Sequence, residues 1–316
     1  MKSPLPSGGC RRVFVRLLIL LAALAVVLAI AAVGLWWYFH PDCERTEGIV
    51  YGQRHGHDLT FDVVRPTRPN GAGVLLMVSG RWKSRPSSFD LWMAAPLLRR
   101  GYTVFAISHR SQPEAAVQET VADVNRATRF IRHHAADYGI DPDRLGVTGG
   151  SSGGHLSLML ATRGGPGPAD SPDPVDRESS AVQAVAIFFP VTNLFDLGTS
   201  TENAGDGGPP KSFREAFGAE GKDAEKWPFL AKELSPVFHA RPDQPPVFIL
   251  HGDADTLTPL EQSEWFREAS AKAGAPEVRI VVREGKGHGW LTIVFDIGLF
   301  ADWFDRHLTS PQAKVR

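Results

Sequence analysis

The sequence predicts an α/β domain: a mostly parallel central sheet with helices on both faces, an antiparallel hairpin at its N-terminal edge, and one membrane-length helix in front. Three observations carry this. From residue 73 to residue 308 short apolar runs alternate with stretches of helical periodicity, as strands buried on both faces and joined by crossover helices do. Between residues 47 and 66, Leu59, Phe61 and Val63 alternate with polar residues, the pattern of half-buried antiparallel strands. Residues 17–39, LLILLAALAVVLAIAAVGLWWYF, are 23 residues without a charge.

That apolar run spans about 35 Å as a helix, enough for a hydrocarbon core of about 30 Å. Trp36, Trp37 and Tyr38 close it, as rings at a lipid–water boundary do. Lys2, Arg11, Arg12 and Arg16 lie on its N-terminal side, which predicts a basic cytoplasmic segment over residues 1–16 and an extracytoplasmic domain. Ala29-Ile30-Ala31 also fits a signal-peptidase site, which would give a secreted protein instead. The run continues past that site into the aromatic belt, which favours an uncleaved signal-anchor over residues 17–39. Cys10 and Cys43 flank the span, so the domain has no internal disulfide, and no cysteine cluster suggests a metal. The chain has 34 Lys+Arg against 35 Asp+Glu; without the four N-terminal bases the remainder is mildly acidic and has no reason to seek nucleic acid.

Residues 40–46 read as a linker and residues 47–310 as one domain. It opens with a hairpin turning at His55-Gly56. GVLLMVS (73–79) and TVFAIS (103–108) are buried strands, separated by a helix over 88–100 that stops at Gly101. Residues 115–137 form a long amphipathic helix, with Val117, Val121, Val124, Ala127 and Ile131 at helical spacing. Strand RLGVTG, a helix from Ser152, strands AVQAVAIFF and PPVFILHG, helix 259–273, strand EVRIVV and helix 293–308 complete the alternation. Two stretches interrupt it. Residues 163–180 are rich in Gly, Pro, Asp and Ser and read as a surface loop. Residues 195–235 carry Phe213, Phe217, Trp227 and Phe229, which either cap a pocket as a lid or pack a small helical excursion.

GVTGGSSGGHLSLMLA places G-x-S-x-G between a buried strand and a helix, the setting of a nucleophile elbow. The turn is sharp, so small residues must flank the serine, and the helix N-terminus behind it favours developing negative charge. Ser151 and Ser152 each fit the pattern. A glycine-rich turn also opens nucleotide-binding αβ units, but the tight glycine spacing and the acids and histidine that follow argue against that here. After strand PPVFILHG come Asp253 and Asp255, and after EVRIVV comes His288 between Gly287 and Gly289. A carboxylate and an imidazole on loops after successive strands can reach one serine, one orienting the base and the other capping its loop. An oxyanion needs backbone N–H donors, which the residue after the nucleophile and the Ser79-Gly80-Arg81-Trp82 loop can supply. His109 and His155 read as structural. Trp82 and Trp290, beside the oxyanion loop and His288, are candidate pocket walls.

Together RLGVTGGSSGGHL, HGDADTLTP and GHGW, with VYG…LTFDVVRP and VSGRWKS upstream, resemble the esterase-type α/β-hydrolases, the dienelactone-hydrolase, acetyl-esterase and prolyl-oligopeptidase-like group. The resemblance covers residues 47–308. It implies Ser151 as nucleophile rather than Ser152, Asp255 as the triad acid with Asp253 stabilising the loop, and His288 as the base. It implies the backbone N–H groups of Ser152 and of Gly80 or Arg81 as the oxyanion hole. Many relatives carry His-Gly-Gly-Gly-Trp where this chain has Ser79-Gly80-Arg81-Trp82, a shorter loop with one glycine replaced. The expected activity is hydrolysis of a small-molecule or polysaccharide carboxylic ester through an acyl-enzyme, without metal or organic cofactor. The alternatives are a peptidase of the prolyl-oligopeptidase type, which usually adds a propeller domain absent from this chain, and a non-catalytic binding module on the same fold.

Overall fold

The structure, a computed structural model of the chain, describes residues 8–308. Lys2 in the basic N-terminal segment and residues 309–310 at the end of the expected domain fall outside them. Two units are distinct, residues 1–41 and residues 42–316. In the first, helix α1 (Gly8–Phe39) begins ahead of the uncharged run and takes in Arg11, Arg12 and Arg16. Its stretch Arg11–Phe39 contains an 18-residue window with a mean hydropathy of 3.0 and is long and apolar enough to cross a membrane. Apolar side chains are exposed along its whole length, from Val13 to Trp37, as a lipid-facing helix requires and a core helix does not.

The second unit is built on one eight-stranded sheet. Its first strands are β1 (Cys43–Arg54) and β2 (His57–Pro66), antiparallel and joined at His55-Gly56. Because Cys43 to Thr46 already pair with Pro66 to Val63, the expected linker is shorter than 40–46. Those residues form the outer, exposed edge, so no apolar alternation marks them. Next come β3 (Gly73–Met77), α2 (Ala95–Arg99), β4 (Thr103–Ile107), α3 (Val117–His133) and α4 (Ala135–Tyr138). The helix expected over 88–100 is broken. Phe89 and Asp90 are extended, Leu91–Met93 make a single 3₁₀ turn, and Pro96 sits in the first turn of α2, where its missing N–H costs nothing.

Then follow β5 (Leu145–Gly150), α5 (Ser152–Arg163), α6 (Pro174–Arg177), β6 (Ala184–Phe188), α7 (Gly218–Lys222) and α8 (Trp227–Glu233). The chain closes with β7 (Val247–Gly252), α9 (Leu260–Lys272), β8 (Val278–Arg283) and α10 (Ile293–Leu308). The loop over 163–180 contains α6, capped by Asp173 and tied to α3 through Arg126, which meets Asp173 at 2.7 Å and Asp176 at 2.6 Å.

The strand order is β1-β2-β4-β3-β5-β6-β7-β8, antiparallel through β4 and parallel from there on. Alternate strand residues feed two cores. Leu75, Phe105, Ile187 and Ile249 pack with α3, α5 and α9 on one face. Val74, Val104, Ala186 and Leu250 pack with α2 and α10 on the other. Gly146 lets α10 lie directly on β5: a Cβ there would stand 2.6 Å from the Phe304 ring. Because β3, β5, β7 and β8 run parallel, the loops that leave them gather at one edge of the sheet, where open α/β sheets place their sites.

Candidate active site

Ser151 stands between β5 and α5 with φ 56° and ψ −119°. A non-glycine residue held there costs about 1–3 kcal/mol, and the contacts around it account for its persistence. A Cβ on Gly149 would lie 2.7 Å from the Gly153 backbone, and one on Gly153 would lie 2.7 Å from the Met77 carbonyl. The glycines two before and two after Ser151 therefore let strand, helix and β3 close on one another. Gly150, which would frame Ser152, has no such contact, its nearest atom being 3.5 Å away. Ser152 itself is buried, with Oγ 3.1 Å from Ser79 Oγ.

The loops after β7 and β8 bring Asp255 and His288 to Ser151. His288 Nδ1 lies 2.7 Å from Asp255 Oδ2, and His288 Nε2 lies 3.0 Å from Ser151 Oγ. With a carboxylate accepting at Nδ1, that nitrogen carries the proton and Nε2 presents its lone pair to the hydroxyl. Asp255 is 4 % exposed, and its Oδ1 accepts from the N–H groups of Leu257 and Thr258, both at 2.9 Å. Burial alone would raise its pKa, but hydrogen bonds from His251, His288 and the Thr258 N–H and the charge of His288 outweigh it, holding the carboxyl well below the usual range. Asp253 is exposed and does not touch His288; its Oδ1 accepts from the Gly285 N–H at 2.6 Å, joining the two loops.

Of the expected oxyanion donors, Gly80 is not available. Its N–H donates to Lys83 O at 3.0 Å, and Lys83 N–H returns a bond to Gly80 O at 2.9 Å. The loop shortened relative to the resemblance closes into this tight bridge, which consumes the donor. Arg81 and Trp82 follow at φ 57° and 52°, in the left-handed region that glycine alone adopts without strain. The N–H groups of Arg81 and Ser152 remain as the candidate donors. Trp82 is anchored by its Nε1–H, 3.1 Å from His155 Nδ1, while His155 Nε2–H donates to Leu234 O at 2.7 Å. On the other side His109 Nδ1–H donates to Arg110 O at 2.7 Å, so Nε2 accepts from Ser79 Oγ at 2.9 Å. Burial lowers the pKa of His109 and of His155 to about 4. Both are buried, and their hydrogen bonds to Trp82 and Ser79 brace the loop over residues 79–82.

Two cavities meet at Ser151. Trp82 borders the smaller, of about 260 Å³, but Trp290 borders neither. Its ring packs edge-on against Phe188 and Phe189, with Nε1–H held by Asp296 at 2.7 Å, so it backs the site instead of walling it. The residue on the wall is Phe189, at φ 30°, whose ring lies 4.4 Å from that of His288. Sequence reasoning passed over Phe189, His251 and Glu202; His251 opens the HGDADTLTP motif, but Phe189 and Glu202 have no motif to flag them. The four aromatics of the 195–235 stretch are divided, Phe229 being exposed. Phe213 lines the smaller cavity, while Phe217 and Trp227 are buried in an aromatic chain with Trp82, at centroid separations of 5.2 and 5.0 Å.

Strand order, elbow and loop placement define an α/β-hydrolase fold of the esterase type. The BD-FAE family model matches residues 62–269, and the chain belongs to that family. Esterase LipQ of Mycobacterium tuberculosis is 33% identical over 240 residues, 74% of this chain and 54% of that protein. A probable isoprenylcysteine alpha-carbonyl methylesterase, ICMEL1 of Arabidopsis thaliana, is 26% identical over 81% of this chain and 53% of its own length. The chain thus spans about half the length of these curated relatives. Among solved structures, a truncated carbohydrate esterase from gut microbiota superposes with a TM-score of 0.68 at 26% identity, covering 83% of this chain and 96% of that one. Native Est2, a thermophilic esterase of Thermogutta terrifontis, gives 0.66 at 28% identity, covering 86% and 95%.

Proposed function

We propose that the protein is a serine esterase that hydrolyses carboxylic esters through an acyl-enzyme, with Ser151, His288 and Asp255 as its triad. One observation carries the reading: a single imidazole, His288, lies 3.0 Å from Ser151 Oγ and 2.7 Å from Asp255 Oδ2. In the first half-reaction Ser151 Oγ attacks the ester carbonyl as its proton passes to His288 Nε2. Asp255 holds the ring in the reactive tautomer and stabilises the imidazolium. The backbone N–H groups of Arg81 and Ser152 face the oxyanion. His288 then protonates the departing alcohol, and water, deprotonated by the same nitrogen, releases the acid. These groups account for every proton and charge, so the reading calls for no cofactor. Relatives named as esterases favour esters over peptides as substrates.

The location belongs to the same proposal. Helix α1 carries basic residues only in its N-terminal part and ends in aromatic residues, which supports an uncleaved anchor, a cytoplasmic N-terminus and a domain across the membrane. The test of the chemistry is turnover of p-nitrophenyl acetate and butyrate by the wild type, Ser151→Ala and Ser152→Ala. Turnover should vanish in the first variant and persist in the second, since Ser152 contributes its N–H. Activity retained in Ser151→Ala would refute the assignment.

A further inference from the structure

The two cavities at Ser151 differ in size and in which side of the serine they occupy. The larger, of about 670 Å³, extends from Ser151 to α10 between apolar walls that include Leu76, Val78, Met93, Phe188, Ile297 and Phe300. The smaller is also mainly apolar, with Trp82, Leu197 and Phe213 on its wall, but it adds His288, Arg81 and the carboxylate of Glu202. An ester carbon bonded to Ser151 sends its acyl and alkoxy groups in different directions. Proton transfer decides which goes where. The leaving oxygen must receive a proton from His288 Nε2, and His288 borders the smaller cavity and not the larger. The alcohol therefore belongs in the small cavity and the acyl chain in the large one.

Glu202 then specifies the alcohol. It is 8 % exposed, and its Oε2 accepts from the Ser212 N–H at 2.7 Å. Among the described residues no donor reaches Oε1. Oε1 is thus free to accept a hydrogen bond from a hydroxyl in the space that Glu202 borders, which is where the alcohol sits. We propose that the site takes monoacyl esters of a glycerol-sized polyol, the aliphatic chain filling the cavity beneath α10 and a free hydroxyl of the alcohol donating to Glu202. The proposal rests on the esterase reading and adds the substrate class to it. The mainly apolar wall of the large cavity calls for a chain longer than acetyl, since each buried methylene is worth on the order of fourfold in binding.

The test compares kcat/KM for 1-octanoylglycerol and propyl octanoate, which share an acyl chain and differ in the alcohol's hydroxyls. The wild type should favour the glycerol ester by on the order of tenfold, and Glu202→Gln and Glu202→Leu should shrink that ratio. Ile297→Trp, which narrows the large cavity, should lower turnover of p-nitrophenyl octanoate relative to the acetate. Equal wild-type rates on the two octanoates, a ratio unchanged in both Glu202 variants, a stronger preference for octanoylcholine, or a chain-length profile unmoved by Ile297→Trp would overturn the proposal. The wild-type comparison stands even if a variant fails to fold. Failure to hydrolyse p-nitrophenyl acetate at all would instead sink the esterase reading beneath it.

Discussion

Replacing Asp255 by Asn changes one atom and should cost most of the activity. Asp255 Oδ1 accepts from the Leu257 and Thr258 N–H groups, and an Asn Oδ1 keeps both bonds. That leaves the amide nitrogen where Oδ2 was, 2.7 Å from His288 Nδ1. Two donors cannot share that position. The ring must shift its proton to Nε2, which then faces Ser151 Oγ as a donor and cannot accept the hydroxyl proton. A corresponding change in another triad enzyme lowers kcat by about 10⁴, which is about 5.4 kcal/mol of transition-state stabilisation. The fold should hold, because both loop hydrogen bonds survive. The assay is kcat on p-nitrophenyl butyrate together with a thermal melt. A folded Asp255→Asn protein within about tenfold of wild-type kcat would refute the geometry as the source of activity.

Other consequences are smaller or concern other parts of the molecule. Asp253→Ala removes the acceptor for the Gly285 N–H and should lower stability by about 1 kcal/mol while changing kcat by less than about tenfold; a larger loss in rate than in stability would make Asp253 the triad acid. His109 and His155, at about 4 in the folded protein, bind protons more readily once unfolded, where a histidine titrates near 6.5. Stability should therefore fall as pH drops from about 6.5 to about 4, by on the order of 3 kcal/mol per histidine, with a further loss below about 4 as Asp255 protonates in the unfolded chain; urea melts across this range check it, and His109→Asn should flatten the slope. The mature protein should retain residues 17–39 in the membrane fraction, and a chain lacking residues 1–42 should be soluble and active. An intact mass placing the N-terminus near Val33 or beyond would contradict the anchor.

The inner parallel strands β3 to β7 were legible because each is a short run buried on both faces, and such runs need no partner to be recognised; β8, at the open edge, is only partly buried and was legible from its Val and Ile content. The proposed triad residues were legible because each follows a strand, with Gly149 and Gly153 around Ser151, Gly287 and Gly289 around His288, and Asp255 three residues past Gly252. What escaped the sequence depends on pairing and loop geometry that no residue pattern records. The start of β1 at Cys43 lies on an exposed edge, where pairing with β2 leaves no apolar pattern. The loss of Gly80 as a donor follows from its bridge to Lys83, a matter of loop geometry. Trp290 is adjacent to His288 in sequence, but Asp296 and the Phe188–Phe189 pair turn its ring away from the cavities. Glu202 has no motif around it, and only the fold carries it to the cavity beside His288.

The central claim is that Ser151 is a nucleophile activated by His288. The most direct measurement is the mass of tryptic peptides after treating the full chain with a fluorophosphonate, run in parallel on His288→Ala. One adduct on Ser151 in the wild type, formed far more slowly in His288→Ala, is the expected result. An adduct on Ser152, no adduct on a folded protein, or labelling at the same rate without His288 would contradict the account.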